Sequence, residues 1–379
     1  MPRLSPASLA VTHEMPAITV SEGRVFHTLD ALRGIAAVGV IAFHMKALFV
    51  PITVAGGYLA VDLFFVMSGV VLSHAYEARF LAGMGTFDFM RARLIRLYPL
   101  YLLGTVLGIL VTVASLLGHN IGNWDPRSLA QVAVPALVLV PNVAARPVNE
   151  MFPLNIPCWS LFLEVLVNLL FVVTWPLLTS RRLVVVSLLA GAAVGLAIAR
   201  QGSIDQGSIA AGFAVGLARA LFGFAVGILI ARHIPHPYRR QSNPAVLVIA
   251  LIVGIALVGR PEGLLRVTWD AACVLVIFPL VVWFGTLIDP GPRLRRAATF
   301  LGATSYAIYV LHSPLSSILN SAIRHFAGPG GGDGAPLTGV AFLIVLLSGC
   351  WVIDRQYDMP IRRLLSRAIP RMQSLRTQS

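Results

Sequence analysis

The sequence predicts an all-α, polytopic transmembrane bundle of about ten helices with both termini in the cytoplasm. Three observations lead there. Apolar residues fill 57% of the 379 positions and charged residues only 12%, against roughly a quarter in a soluble domain, and the mean hydropathy is +0.81. The apolar residues fall in repeated runs of about 20, the length an α-helix needs to cross the hydrocarbon core. Backbone groups in lipid must be satisfied within the segment, so these runs are expected as helices and not strands. The third observation is the placement of basic residues between the runs, which sets the orientation.

The runs lie at about 30–50, 57–76, 95–117, 157–178, 182–200, 207–231, 243–259, 267–288, 299–320 and 336–354. An eleventh candidate at 128–142 carries Pro135 and Pro141 and is shorter than the others. Loop charge arbitrates. The basic connections are Arg79 to Arg96, Arg181–Arg182, Arg232 to Arg240, Arg293 to Arg296 and the tail from Arg355 onward. If 128–142 crosses, these groups fall on both sides of the membrane; if it does not, all of them are cytoplasmic. The segment therefore reads as re-entrant or interfacial on the outer side. Residues 1–26, with Pro2, Pro6 and Pro16 and no apolar core, read as a disordered cytoplasmic tail and not a signal peptide. Residues 27–355 form the membrane domain, and 356–379 a basic cytoplasmic tail whose DMPIRRLLSRAI suits the headgroup region of the membrane lipids. The GPGGGDG stretch at 328–334 reads as a flexible outer loop.

The net charge is +13, and all but one of the 29 basic residues are arginine. In a soluble chain that balance would suggest nucleic acid. Here there is no basic domain outside the spans, so positive-inside loops explain it and no nucleic-acid partner is expected. Cys158, Cys273 and Cys350 lie scattered in apolar runs, which argues against a disulfide framework or a zinc site.

Ionisable residues deep in a span are costly, so each marks a functional or a paired structural site. In the first span Arg33 and His44 stand eleven residues apart, about three helical turns, and share a face. Snorkelling of Arg33 and a bond from His44 to a neighbouring helix would account for them as structure alone. Asp62 lies near the outer end of the second span, where it could pair with an arginine or a histidine. Ser160 and Glu164 are i, i+4 in the fourth span, beside Trp159 at the outer interface. In the ninth span Ser305, Tyr309 and His312 form one stripe. The orientation places His44, Asp62, Glu164 and His312 at similar depth. A histidine held beside a carboxylate can serve as general base towards a hydroxyl. At the cytoplasmic end Arg91, Arg93 and Arg96 enter the third span near Arg33. They read equally as positive-inside anchors and as a site for an anionic, phosphate-rich ligand.

These motifs together resemble the membrane-bound acyltransferase-3 family of bacterial O-acyltransferases. The resemblance is carried by the Arg-x10-His spacing of the first span, GYLAVDLFFVMSG, the Arg-x-x-Arg of RARLIRLYPLY, PCWSLFLE and SYAIYVLHSPL, in that order over about residues 27–355. It implies a multi-pass protein of the bacterial inner membrane that moves an acyl group, often acetyl, from cytoplasmic acyl-CoA to a hydroxyl of a carbohydrate or glycosylated acceptor, with no metal. By motif, Arg33 and His44 fill the family's essential pair, with His44 as catalytic base. Arg93 and Arg96 fill the pair expected on CoA, and Glu164 fills an acidic position. Asp62 or Glu164 is expected to orient His44, Arg33 and Arg91 to extend the CoA site, and Trp159, Ser160, Tyr309 and His312 to line the acceptor site. Two departures stand out. Glu164 is followed by VLVNLLF where the family often has further polar residues, and no extracytoplasmic hydrolase-like domain of the kind some relatives carry is expected, so the membrane domain is expected to act alone or with a separate partner. The alternative is a proton-coupled transporter or flippase, which would use the same histidines and carboxylates as a relay.

Overall fold

A computed structural model describes residues 25–118, 124–143, 148–234, 240–327 and 335–368. Nearly all of the predicted N-terminal tail, the predicted loop at 328–334 and the last part of the C-terminal tail lie outside the described residues. The described chain is a helical bundle, and each of the ten predicted spans coincides with a helix. In chain order these are α1 (His27–His44), α2 (Ala60–Leu81), α3 (Thr86–Leu117), the short α4 (Pro126–Leu137), α5 (Cys158–Thr174), α6 (Ser180–Gln201), α7 (Phe213–His233) and α8 (Asn243–Val258). Then follow α9 (Leu264–Ala272), α10 (Phe278–Leu287), α11 (Pro292–Ala327), α12 (Leu337–Ile353) and α13 (Met359–Ala368). Seven of the described helices are long and apolar enough to cross a membrane on length and composition alone. Of the other three spans, α1 and α11 carry charges at their starts, and α8 is 16 residues long.

The ambiguous segment resolves as α4, 12 residues long. At ~1.5 Å per residue it reaches about 18 Å, well short of a bilayer core. Its start is set by a capping box, in which Asp125 accepts from the backbone N–H groups of Arg127 and Ser128 while Ser128 returns a bond to the Asp125 N–H. The hydroxyls of Tyr101 and Tyr98 on α3 donate to its last carbonyls, Ala136 and Leu137, so both ends of a non-spanning helix are satisfied.

Two helices contain a π-helical turn, and proline accounts for both. Cys273–Ile277 joins α9 to α10 just ahead of Pro279, and Asp354–Asp358 joins α12 to α13 just ahead of Pro360. A proline has no N–H to give and crowds the carbonyl four residues earlier, here Leu275 and Gln356, so the turn widens there. The first predicted span, at 30–50, is shorter in the structure. Helix α1 stops at His44 and a 3₁₀ turn, Lys46–Leu48, follows. Pro51 disfavours helical backbone at Val50, and the apolar 47–50 stretch closes there in a turn.

Small residues let the central helices meet. On α2 and α7, a Cβ at Gly69 or Gly227 would overlap the backbone of the partner helix, and one at Gly223 would lie 2.6 Å from Phe65 Cβ. Gly34 of α1 similarly abuts Leu301 of α11. Close backbone approach of this kind replaces the hydrophobic drive that helices lack inside lipid. Consequently α2 is the most enclosed of the seven apolar helices, and the outer ones, such as α12, turn most of their surface outward.

Candidate active site

Two cavities lie in the bundle, one behind the other. The larger, about 360 Å³, is walled by α1, α2, α3, α5, α11 and α13. Its charged lining is Arg33, Arg93, Arg96 and Arg362, with Glu164 and Asp354. The smaller, about 80 Å³, contains His44, Tyr58, Trp159, Asp205, Gln206 and Arg219. Val61 and Tyr309 belong to both walls, so they form the partition where the two meet.

Each arginine of the larger cavity is placed by helix spacing. Arg93 and Arg96 are i, i+3 on α3, and Arg33 stands about one turn after Asp30 on α1, 3.7 Å from its carboxylate. Arg93 is buried and donates to Glu164 Oε1 at 2.7 Å, and Ser68 donates to the same oxygen at 3.3 Å. Glu164 therefore holds an arginine, not His44. Arg91 points elsewhere: it lies 3.7 Å from Asp88 on its own helix and does not line the cavity.

Asp62 also departs from expectation. Arg219, in the middle of α7, grips it in a bidentate pair at 2.9 and 2.7 Å, with both side chains almost wholly buried. Shared depth brought Asp62 and His44 to the same layer, but the carboxylate faces α7. Arg219 then donates to the carbonyls of Gln206, at 2.5 Å, and Tyr58, at 3.2 Å, and its guanidinium lies 5.4 Å from the Trp159 ring. Tyr58 continues the network by donating to the buried Asp270 at 2.6 Å. A lone arginine in FAVGLARALFGF and a lone aspartate in RVTWDAACVL carried the same signal of intramembrane charge. Neither belongs to a recognised motif, and both escaped the sequence reading.

The partner of His44 is His312. His44 ends α1 and is exposed, whereas His312 is fully buried on α11. His44 Nδ1 lies 2.9 Å from Val40 O and 3.3 Å from His312 Nε2. His312 Nδ1 lies 2.8 Å from Tyr309 O and 3.2 Å from Ile308 O. A carbonyl can only accept, so each Nδ1 carries its hydrogen. The single Nδ1–H of His44 is then shared between the Val40 carbonyl, the nearer acceptor, and the lone pair of His312 Nε2, and His44 Nε2 has the lone pair free for a proton. That is the arrangement of an oriented general base, with an imidazole in the orienting position.

Tyr309 and Ser160 meet at the partition. Their hydroxyls are 2.7 Å apart, and both reach the Pro157 carbonyl at 3.2 Å. Of the residues expected to line an acceptor site, Ser160 and Tyr309 line the larger cavity, and Trp159 and Tyr309 the smaller. His312 lines neither and sits behind His44. Trp159 is packed edge-on against Gly207, whose backbone adopts φ +120, a conformation and a space that only glycine accommodates.

The chain matches the model of an acyltransferase domain over residues 26–355. It is also 37% identical over 158 residues to "Protein 2 in picA locus" of Rhizobium radiobacter, covering 38% of this chain and 80% of that protein. No solved structure matches. An acyltransferase assignment over most of the chain outweighs the transporter alternative, which rested on the same intramembrane histidines and carboxylates. A polytopic helical bundle, an arginine-lined cavity, a histidine pair beyond it and this match agree: the chain belongs to the acyltransferase-3 family and is a membrane acyltransferase.

Proposed function

We propose that the protein transfers an acyl group, acetyl in the simplest case, from cytoplasmic acyl-CoA to a hydroxyl of a glycan or glycoside presented on the outer side of the bacterial inner membrane. The observation that carries this reading is the order of the two cavities. Arg33, Arg93 and Arg96 line one, His44 lies in the other, and Tyr309 stands between them. Three guanidiniums from two helices suit the phosphates of CoA, since planar donors match phosphate oxygens in pairs. The cytoplasmic side follows from loop charge, which puts the arginine end inward.

In this mechanism the pantetheine arm runs along the larger cavity and brings the thioester to the partition at Tyr309. An acceptor hydroxyl enters beside His44. His44 Nε2 takes the hydroxyl proton as the oxygen attacks the thioester carbonyl, and His312 Nε2 steadies the Nδ1–H of the imidazolium that forms. The hydroxyls of Tyr309 and Ser160 stand at the partition, and turning one hydrogen away from the Pro157 carbonyl makes it a donor for the developing oxyanion. The C–S bond then breaks, the new ester leaves with the acceptor, and the CoA thiolate receives the proton from His44. No covalent acyl-enzyme is required.

The test uses inverted membrane vesicles given acetyl-CoA labelled in the acetyl group. Label should pass to a carbohydrate-containing fraction with the wild-type protein and not with His44→Ala. Label transfer undiminished in His44→Ala would remove the proposed base, and failure of the wild type to use any acyl-CoA would remove the donor.

A further inference from the structure

We infer that the C-terminal helix α13 is a working part of the donor site and that Arg362 is a fourth guanidinium for the donor's phosphates. This rests on the acyl-CoA reading above and extends it to a segment beyond the family match, which ends at residue 355. The placement of Arg362 carries the inference. Its side chain lines the larger cavity with Arg33 of α1 and Arg93 and Arg96 of α3, so three separate helices aim guanidiniums into one space. The lining holds two carboxylates, Asp354 and Glu164, and three of the four arginines have an acidic neighbour, Glu164 for Arg93, Asp30 for Arg33 and Asp358 for Arg362, so the phosphates would meet guanidiniums already oriented by carboxylates.

The helix is built to hold Arg362 there. The π-helical turn Asp354–Asp358 runs α12 directly into α13. Within it Tyr357 donates to the Pro99 carbonyl of α3 at 3.2 Å, which fastens the turn to the helix that carries Arg93 and Arg96. Asp358, fully buried, forms an ion pair with Arg362 one turn later. The neighbouring Arg363 and Arg367 are exposed, as expected for residues that meet headgroups and not the cavity. Four guanidiniums on three walls suit a ligand with several phosphates. The recognised chemistry is therefore the pyrophosphate and further phosphate of free CoA, and not the single phosphodiester of a carrier-bound pantetheine arm.

The test is the affinity of the purified full-length protein in detergent for CoA and for pantetheine, which lacks the phosphates, measured by calorimetry. Arg362→Ala should weaken CoA binding by roughly ten-fold or more and leave pantetheine unchanged, Arg362→Lys should recover part of the loss, and Arg363→Ala should match the wild type. CoA binding in Arg362→Ala equal to the wild type would overturn this inference alone, as would an equal loss for both ligands. If Arg362→Ala does not fold, Arg362→Lys decides: it keeps the charge but loses paired donation, so it should still bind CoA more weakly than the wild type, and equality overturns the inference. A wild-type protein that binds no CoA would instead sink the donor reading on which the inference rests.

Discussion

His312 presents Nε2 to the Nδ1 of His44 at 3.3 Å, from a position with no exposed surface at all. The pair joins α11 to α1 and stands where a carboxylate more often orients a catalytic histidine. His312 Nε2 shares the His44 Nδ1–H with the Val40 carbonyl, and that interaction gains strength as His44 takes up its proton.

Replacing His312 by Phe should therefore lower kcat by roughly 10- to 100-fold, the scale of one hydrogen bond to a charged group, with little change in the KM for acyl-CoA. His44→Ala should lose about 10²–10⁴-fold. The double variant should be no worse than His44→Ala, since His312 acts only through His44. Steady-state kinetics of the four proteins checks this, and additive losses would contradict the pairing.

Asp62 and Arg219 hold each other in a buried ion pair, and the pairing predicts an effect on stability more than on turnover. Removing one charge leaves the other buried and unpaired, so Asp62→Asn and Arg219→Ala should each destabilise the bundle by about 3–5 kcal/mol. The joint replacement Asp62→Leu with Arg219→Met should recover much of that stability in detergent melting curves. Folded Asp62→Asn protein should keep turnover per molecule within a few-fold of the wild type. A folded but inactive Asp62→Asn would return this carboxylate to the chemistry.

Gly227→Ala tests the close crossing of α2 and α7. The added Cβ would meet the backbone of Val66 and Gly69, which no side-chain rotation relieves, so the two helices must separate. Overpacking of this kind costs about 1–3 kcal/mol or more. Gly254→Ala, at a site with open space around it, is the control and should melt like the wild type.

Outside the spans, hydrogen bonds from the Ser128 backbone and hydroxyl hold the Asp125 carboxyl below the ordinary aspartate range. A depressed carboxyl stabilises when ionised, so the cap of α4 is fully present above the ordinary aspartate range and is lost as pH falls through the depressed value. Hydrogen exchange at the Arg127 and Ser128 amides should accelerate, after correction for intrinsic rates, only in acid; Asp125→Ala should show the faster exchange at every pH.

Much of this arrangement was legible from residue types that membranes make expensive. Arg33, Arg93, Arg96, His44 and His312 stood out against apolar neighbours, and the structure puts the first three around one cavity and the last two in contact. Azimuth was not legible. Depth along the membrane normal placed Asp62 beside His44, but only packing decides which neighbour a side chain faces, and Asp62 faces Arg219. Arg362 was hidden for a different reason. Its helix is polar and follows the last apolar run, so hydropathy assigned it to the membrane surface, and the π-helical turn that brings it back to the bundle has no signature beyond Pro360. Helix limits were blurred where apolarity and helicity differ, as at 47–50, where Pro51 ends what hydropathy would continue.

Delivery of an acyl-CoA to His44 by Arg33, Arg93 and Arg96 is measured most directly as transfer of acetyl label from acetyl-CoA to membrane-associated carbohydrate, compared among wild type, His44→Ala and Arg96→Ala as the acetyl-CoA concentration is varied. No transfer is expected with His44→Ala, and with Arg96→Ala transfer should be restored by raising acetyl-CoA. Wild-type rates in His44→Ala, or a loss in Arg96→Ala that no concentration of donor relieves, would contradict that delivery.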